Sequence, residues 1–189
     1  NRLNLKDKFI VGYIGTHGMA HALETLILAG KILNEKNEKD IEIILLGDGA
    51  RKNELINKAK EEGVQNVHFY PTVTKAEVPN YWSILDAAII HLKKSSSFRA
   101  VIPSKLFECM GMGIPVLHGV EGESANIVTE HKVGLIFEPE DADELANSII
   151  NLKKNNELAA SFRDNALRAS RKFDRSSKAL EMLSFLDRF

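Results

Sequence analysis

The sequence has one cysteine, no long apolar run and almost no net charge. Lone Cys109 excludes an intramolecular disulfide framework and a zinc site of the Cys-x-x-Cys type, and it fits a reducing compartment. Without an apolar run of about 18 residues or a signal peptide, no membrane-spanning segment is predicted. The 189 residues include 25 Lys and Arg against 26 Asp and Glu, which is unlike the basic excess of nucleic-acid-binding proteins. The composition predicts a globular cytoplasmic domain without a nucleic-acid partner.

Short apolar runs alternate with helix-like periodicity over residues 9–140, and the pattern is purely helical over residues 141–189. Apolar runs of this kind are typical of strands that are buried on both faces of a parallel sheet. We predict one α/β domain, with a Rossmann-like, doubly wound sheet of about six parallel strands and a helical C-terminal tail. The predicted strands are Phe9–Ile14, Ile41–Leu46, Val67–Tyr70, Asp86–Leu92, Ile114–His118 and Gly134–Phe137.

The residues that directly follow the strands are the site candidates, because ligands bind outside the carboxyl ends of parallel strands. After the first strand, Gly15 and Gly18 allow close approach of a ligand, with Thr16 and His17 between them. Two glycines do not make the three-glycine dinucleotide fingerprint, and a plain tight turn is the alternative. His17 and His21 lack a third ligand, so hydrogen bonding to a ligand is favoured over metal binding.

Two further glycine turns follow the second and fifth predicted strands. The turn Gly47–Gly49 brings either a ligand or a neighbouring loop close, or it is a helix entry with Asp48 as the cap. Gly122, Glu123 and Ser124 are expected at the start of a helix, where backbone N–H groups and short polar side chains face the crevice. A plain capping segment is the alternative for these three residues.

The segment after the fourth strand combines a helix start with basic and acidic side chains. Pro103 suits the first turn of a helix, which leaves the Ser104 hydroxyl and the Lys105 ammonium near its N-terminus, a suitable site for pyrophosphate. Glu108 lies one turn further on, among apolar neighbours. A carboxylate in such a helix is expected to be paired. Its partner is either a diol such as a ribose or Lys105, three residues earlier.

Taken together, these segments resemble the C-terminal, donor-binding half of a GT-B glycosyltransferase of glycosyltransferase group 1, also called family 4. The most specific match is Pro-Ser-Lys-Leu-Phe-Glu-Cys-Met-Gly-Met-Gly-Ile-Pro-Val at residues 103–116. Downstream stands Gly-Leu-Ile-Phe-Glu-Pro at residues 134–139, and the resemblance covers almost the whole chain in order. The loop Gly15–His21 is similar to that of bacterial enzymes that transfer amino- or deoxysugars in capsule and O-antigen synthesis.

The resemblance implies a nucleotide diphosphate-sugar donor, linked to UDP. Glu108 matches the second glutamate of the family's Glu-x7-Glu motif, which contacts the ribose hydroxyls. Lys105 and Ser104 would then lie near the diphosphate, and the loop of residues 15–18 would approach the phosphates. The base is expected against the segment after the third strand, formed by Tyr70, Pro71, Thr72 and Val73.

Two departures from the family pattern concern the donor sugar and the phosphates. Ala100 stands where the first glutamate of the motif is expected, and Ser95–Ala100 replaces the usual sugar-contacting Glu-x-Phe-Gly, with Arg99 as a substitute. The first loop also lacks the family's Arg and Lys pair. Its two histidines and Lys105 are expected to do part of the work of that pair.

The family fold implies donor binding without a metal, transfer with retention at the anomeric carbon, and an N-terminal acceptor-binding domain that this chain lacks. A full enzyme of this kind would make bacterial surface polysaccharide on a lipid-linked or polysaccharide acceptor, at the inner face of the membrane, and the isolated domain would be inactive. The alternatives are half of a UDP-sugar 2-epimerase and a non-enzymatic nucleotide-binding module. The final helix, Ser176–Phe189, is expected to pack toward the missing domain, with Phe185, Leu186 and Phe189 exposed.

Overall fold

The computed structural model describes residues 5–186, apart from the side chains of residues 175–178. Its centre is one parallel sheet. The strands are β1 Phe9–Ile14, β2 Ile41–Leu46, β3 Val67–Tyr70, β4 Ala87–His91, β5 Val116–Gly119 and β6 Gly134–Ile136. Their order across the sheet is β3-β2-β1-β4-β5-β6. The predicted α/β fold with six parallel strands and a helical tail is confirmed.

Helices connect the strands and form the tail. The helices are α1 Glu24–Glu35, α2 Lys52–Glu61, α3 Val78–Trp82, α4 Lys105–Gly111, α5 Glu123–His131, α6 Ala142–Lys154, α7 Asn156–Ser170 and α8 Arg175–Leu186. Short 3-10 turns cover Met19–His21, Ser96–Phe98 and Arg171–Phe173. The connections leave β1 and β4 as neighbours in the middle of the sheet, where the strand order reverses.

Both faces of the sheet are buried, and β2 shows how its sequence produces this. Ile43 and Leu45 pack into the apolar cluster on one face, with α1, α2 and α6. Ile44 and Leu46 pack into the cluster on the other face, with α3, α4 and α5. Since side chains alternate along a strand, a continuous apolar run serves both layers at once.

Side-chain caps mark the start of the two longest helices. Asp141 accepts a hydrogen bond from the Glu144 N–H at 2.8 Å, and Asn155 accepts one from the Leu158 N–H at 3.0 Å. Each cap satisfies an N–H group that has no partner within its helix. The predicted change to a purely helical pattern at residue 141 therefore coincides with a capped helix start.

One predicted helix start is corrected and another lies where it was expected. Helix α4 begins at Lys105, so Pro103 precedes the helix and does not occupy its first turn. Helix α5 begins at Glu123, within the expected start at residues 122–124, because Gly122 adopts a positive φ of 82° that turns the chain into the helix.

Helix α8 exposes large apolar side chains at the end of the described chain. Five side chains are 55–67% exposed: Leu180, Met182, Leu183, Phe185 and Leu186. The expected exposure of Phe185 and Leu186 is confirmed, whereas Phe189 lies outside the described residues.

Candidate functional site

The loops after β1 and β2 pack backbone to backbone at the carboxyl edge of the sheet. The Gly15 N–H donates to the Leu46 carbonyl at 2.9 Å, and the His17 N–H donates to the Asp48 carbonyl at 2.8 Å. A Cβ atom built on Gly47 would overlap the carbonyl oxygen of Gly15. The predicted close approach at the Gly47–Gly49 turn is therefore to a neighbouring loop.

Lys105 reaches from α4 into the loop after β1. A Cβ built on Gly15 would lie 2.7 Å from the Lys105 Nζ, so the ammonium fills the space beside this glycine. The pKa of His21 is lowered chiefly by burial and further by the positive charge of Lys105. The structure thus brings two predicted phosphate-binding elements together, the glycine loop and Lys105.

His17 differs from the prediction that it faces a ligand. Its side chain is 0% exposed, and its ring lies 6.2 Å from the Tyr13 ring and 6.3 Å from the Phe69 ring, between centroids. Burial, followed by the nearby Lys52 ammonium, lowers the pKa of His17 from 6.5 to about 4, although Asp48 opposes the shift. The imidazole is therefore neutral at pH 7 and packs in the interior, so it supplies no positive charge for a phosphate.

A buried histidine that the sequence reasoning missed connects three of the loops. The Nδ1–H of His91, at the end of β4, donates to the His21 carbonyl at 2.9 Å, and its Nε2 accepts from the Glu140 N–H at 2.9 Å. Burial lowers the pKa of His91 from 6.5 to about 4, which keeps the ring neutral. The only signal in the sequence was a polar residue at the end of an otherwise apolar strand.

A cleft of about 470 Å³ opens beside the first loop. Gly15 and Thr16 line one side of it, and Thr72 and Val73, from the predicted base-binding segment, line another. The Thr16 carbonyl accepts a hydrogen bond from the Tyr13 hydroxyl at 2.9 Å, which fixes the loop.

The remaining residues of the predicted base-binding and glycine segments lie elsewhere. Tyr70 packs against the buried cluster that includes Trp82, and Pro71 is exposed outside the cleft lining. Gly18 precedes the 3-10 turn with an ordinary φ of −105°, so no backbone requirement for glycine exists at that position.

Ser104, directly before α4, and Glu108, on α4, line a second and larger cleft of about 940 Å³. Arg171 and Phe173 also line this cleft. The Glu108 side chain is exposed, and within residues 5–174 its carboxylate has no hydrogen bond or ion pair. Of the two partners expected for Glu108, the ribose diol therefore stays a prediction. The alternative pair with Lys105 does not form, since Lys105 points to Gly15.

The N-terminus of α5 is covered by the loop that follows β4, and this corrects the prediction that it faces the crevice. The Glu123 N–H donates to the Arg99 carbonyl at 3.1 Å, and a Cβ on Gly122 would overlap that carbonyl. The Arg99 Nε donates to the Glu121 carboxylate at 3.1 Å. The N–H of Glu123 is thus used within the protein, while the Arg99 guanidinium remains 64% exposed at the rim.

Ser124 also differs from its predicted role. Its side chain is 0% exposed, and its hydroxyl is hydrogen-bonded to the Nε2 of His118, on β5. Burial lowers the pKa of His118 from 6.5 to about 3. This pair stabilises the contact between β5 and α5 inside the molecule, and the Ser124 hydroxyl is not accessible to a ligand.

Two observations on the described part of the chain concern metals and membranes. No group of three or more His, Cys, Asp and Glu side chains is arranged there to hold a metal ion. None of the helices found between residues 5 and 186 is long and apolar enough to cross a bilayer.

The family model described as "Glycosyl transferases group 1" matches residues 1–169. The chain belongs to this family. The match covers the glycine loop, Lys105, Glu108 and the whole sheet, so the family resemblance noted from the sequence motifs is confirmed.

Relatives of this glycosyltransferase group 1 chain agree with the assignment. It is 26% identical over 174 residues to the Escherichia coli (strain K12) protein named as colanic acid biosynthesis glycosyl transferase WcaI, covering 88% of this chain and 42% of the relative. The chain therefore spans less than half the length of that relative.

Solved structures of similar fold confirm the GT-B type of architecture. Anabaena Alr3699/HepE in complex with UDP matches with a TM-score of 0.86 and 21% identity, over 100% of this chain and 51% of that one. The C-terminal domain of a glycosyl transferase group 1 family protein (LpcC) from Francisella tularensis matches with a TM-score of 0.72 and 19% identity, over 87% and 85%.

Proposed function

We propose that this chain is the donor-binding domain of a glycosyltransferase and binds a UDP-sugar at the carboxyl edge of its sheet. The observation that carries the proposal is the contact of Lys105 with Gly15, which places an ammonium beside the exposed backbone of the loop after β1. A diphosphate needs positive charge and close backbone approach at the same point, and these two residues supply both.

Within this proposal, the diphosphate lies against Gly15, Thr16 and Lys105. Helix α4 has only seven residues, so the stabilising charge for the departing diphosphate comes chiefly from the Lys105 ammonium. The proposal requires no metal, because the Lys105 ammonium supplies the positive charge that the diphosphate needs.

In the proposal, the nucleoside runs from the diphosphate at Lys105 toward two separate clefts, one with Glu108 and one with Thr72 and Val73. The exposed carboxylate of Glu108, which has no partner among the described residues, accepts hydrogen bonds from the ribose hydroxyls. The base enters the cleft lined by Thr72 and Val73. The Arg99 guanidinium, held by Glu121 at the rim, faces the sugar.

The full enzyme is proposed to contain an N-terminal acceptor-binding domain, since this chain covers 42% of WcaI and 51% of HepE. The exposed apolar side chains of α8 are the surface expected to pack against that domain. The name of WcaI supports a role in bacterial surface polysaccharide synthesis. We further propose that the full enzyme transfers a hexosyl or HexNAc group with retention at the anomeric carbon. The lipid-linked or polysaccharide acceptor would be met at the inner face of the membrane, and the chain on its own would be inactive.

Isothermal titration calorimetry of the 189-residue chain with UDP, UDP-glucose and UDP-GlcNAc, against ADP and GDP, tests the donor assignment. We expect the uridine nucleotides to bind at least about tenfold more tightly than the purine nucleotides. Equal affinities would overturn the assignment to uridine, and no binding of any nucleotide would overturn the donor site.

The reaction class requires the longer protein. Incubated with a UDP-sugar, a glycosyltransferase forms a new glycoside only when an acceptor is present. A 2-epimerase changes the sugar without an acceptor, and a binding module changes nothing. Product analysis by mass spectrometry and NMR with and without acceptor distinguishes the three outcomes.

A further inference from the structure

Lys52, near the start of α2, joins the loops that follow β2 and β3. Its Nζ donates to the Gly47 carbonyl at 2.7 Å and to the Tyr70 carbonyl at 3.0 Å. The Gly47 N–H also donates to the Tyr70 carbonyl, at 3.2 Å. Hydrogen bonds from a charged donor are stronger than those between neutral groups, so the Lys52 ammonium is the stronger of the two connections between these loops.

The residues that follow the two joined strand ends line the 470 Å³ cleft. Gly47 and Asp48 follow β2, Thr72 and Val73 follow β3, and these two pairs are referred to as its walls. Lys52 itself does not line the cleft, so it acts on a bound group only through the walls that it holds.

We propose that Lys52 is a positioning residue that sets the base preference of this cleft by fixing the distance between its walls. The proposal rests on the proposed function, in which the uracil base enters here. A pyrimidine is smaller than a purine, and a cleft rejects the larger ring only while its walls cannot separate. Without the ammonium, the carboxyl ends of β2 and β3 keep their strand pairing and one neutral hydrogen bond from the Gly47 N–H to the Tyr70 carbonyl, but the chain that continues from Tyr70 into residues 71–73 loses its charged anchor.

The surroundings of His17 supply a second, independent readout. The Lys52 ammonium is one of the groups that lower the pKa of His17; burial acts in the same direction, His21 adds a smaller lowering, and Asp48 opposes it. Removal of the Lys52 charge therefore raises the pKa of His17, which NMR titration of its ring protons detects. This signal reports whether the ammonium is in place, whatever the nucleotide does.

Lys52→Met removes the charge and both hydrogen bonds while keeping an unbranched side chain that is one atom shorter. The experiment measures, by calorimetry, the ratio of the dissociation constants of ADP and UDP for the 189-residue chain. We expect UDP to bind about tenfold more weakly to Lys52→Met, with a much smaller change for ADP, so that the preference for uridine falls by about the same factor. Lys60→Met is the matched control, because Lys60 is an exposed lysine on α2 without a side-chain partner among the described residues, and it should keep the wild-type ratio.

Lys52→Arg should restore most of the preference, since a guanidinium also donates to two carbonyls. If circular dichroism shows that Lys52→Met is unfolded, the ratio of dissociation constants is measured for Lys52→Gln, which keeps a neutral donor group without the charge. A wild-type ADP/UDP ratio in the folded neutral variant, together with a raised His17 pKa, would overturn the positioning role alone. A wild-type chain without preference for uridine would overturn the proposed function, and the role of Lys52 with it.

Discussion

The Lys105 ammonium occupies the space that a side chain at Gly15 would need, since a Cβ there would lie 2.7 Å from its Nζ. Gly15→Ala should therefore displace the end of the lysine side chain. The lysine end is flexible, but Gly15 also has a φ of 157°, which L residues rarely adopt, so we expect the free energy of unfolding to fall by about 1 to 3 kcal/mol. Nucleotide binding should weaken roughly tenfold, since the charge leaves the loop. Calorimetry with UDP and urea denaturation measure the two effects.

Gly63→Ala is the control for this glycine. Gly63 also has a positive φ, of 67°, and a Cβ added there has no neighbour within 4 Å, so it shares the backbone strain while UDP affinity should be unchanged. Wild-type UDP affinity in folded Gly15→Ala would contradict the phosphate position assigned to Lys105.

Glu108→Gln tests the ribose contact. The carboxylate is exposed and has no partner in the described part of the chain, so the change should alter the free energy of unfolding by no more than about 0.5 kcal/mol. Two hydrogen bonds from a ribose to a charged acceptor would be weakened, and we expect UDP to bind about tenfold or more weakly. Glu130→Gln, an exposed glutamate on α5, provides the comparison. A large loss of stability in Glu108→Gln would instead indicate a structural ion pair.

Gly122→Ala should be strongly destabilising. The residue has a φ of 82°, and its Cβ would overlap the Arg99 carbonyl, which is backbone and cannot move aside cheaply. We expect a loss of about 2 kcal/mol or more in urea denaturation. Gly63→Ala separates the two causes, because Gly63 has a similar φ of 67° but no neighbour within 4 Å, and should lose only about 1 kcal/mol. Equal losses for the two variants would show that the loop yields to the methyl group.

Acid should destabilise the fold through three buried histidines. The pKa is about 4 for His17 and His91 and about 3 for His118, each lowered by burial from 6.5. As pH falls below 6.5, the unfolded chain binds protons that the folded chain does not. Above that pH these histidines do not reduce the free energy of unfolding. Between about pH 6.5 and pH 4, the free energy of unfolding decreases by up to about 1.4 kcal/mol per pH unit for each histidine.

Urea denaturation at about pH 6 and about pH 5 measures this slope. His91→Gln removes one of the three titrating rings and should reduce the slope by about one third. A slope equal to that of the wild-type chain would show that His91 binds a proton in the folded state.

The strands could be predicted because each is an apolar run between polar turns, and burial on both faces requires such a run whatever the rest of the fold does. Ile41–Leu46 was predicted to the residue for this reason. That the start of α5 is covered could not be predicted, since the cover depends on the positive φ of Gly122 and on the path of the loop that carries Arg99.

The site was predictable in its position and less so in its individual side chains. The loop after β1 and Lys105 meet as expected, because both follow neighbouring strands of the sheet. The directions of His17 and Ser124 were not predictable, since a polar side chain near a helix start can point outward or inward. Here both point inward, where His17 packs near Phe69 and Ser124 is hydrogen-bonded to His118. The role of Lys52 was not visible either, because its partners are backbone carbonyls, which every residue possesses.

The reversal of strand order between β1 and β4 has a kinetic consequence. Helix α1 leaves β1 on one face of the sheet, whereas the segment after β4 leads to α4 on the other face. The two connections diverge from this point, so no crossover helix lies over the carboxyl ends of these strands. A nucleotide can therefore enter without displacing a helix, and we expect its association rate to be limited by diffusion and orientation and to fall as salt screens Lys105.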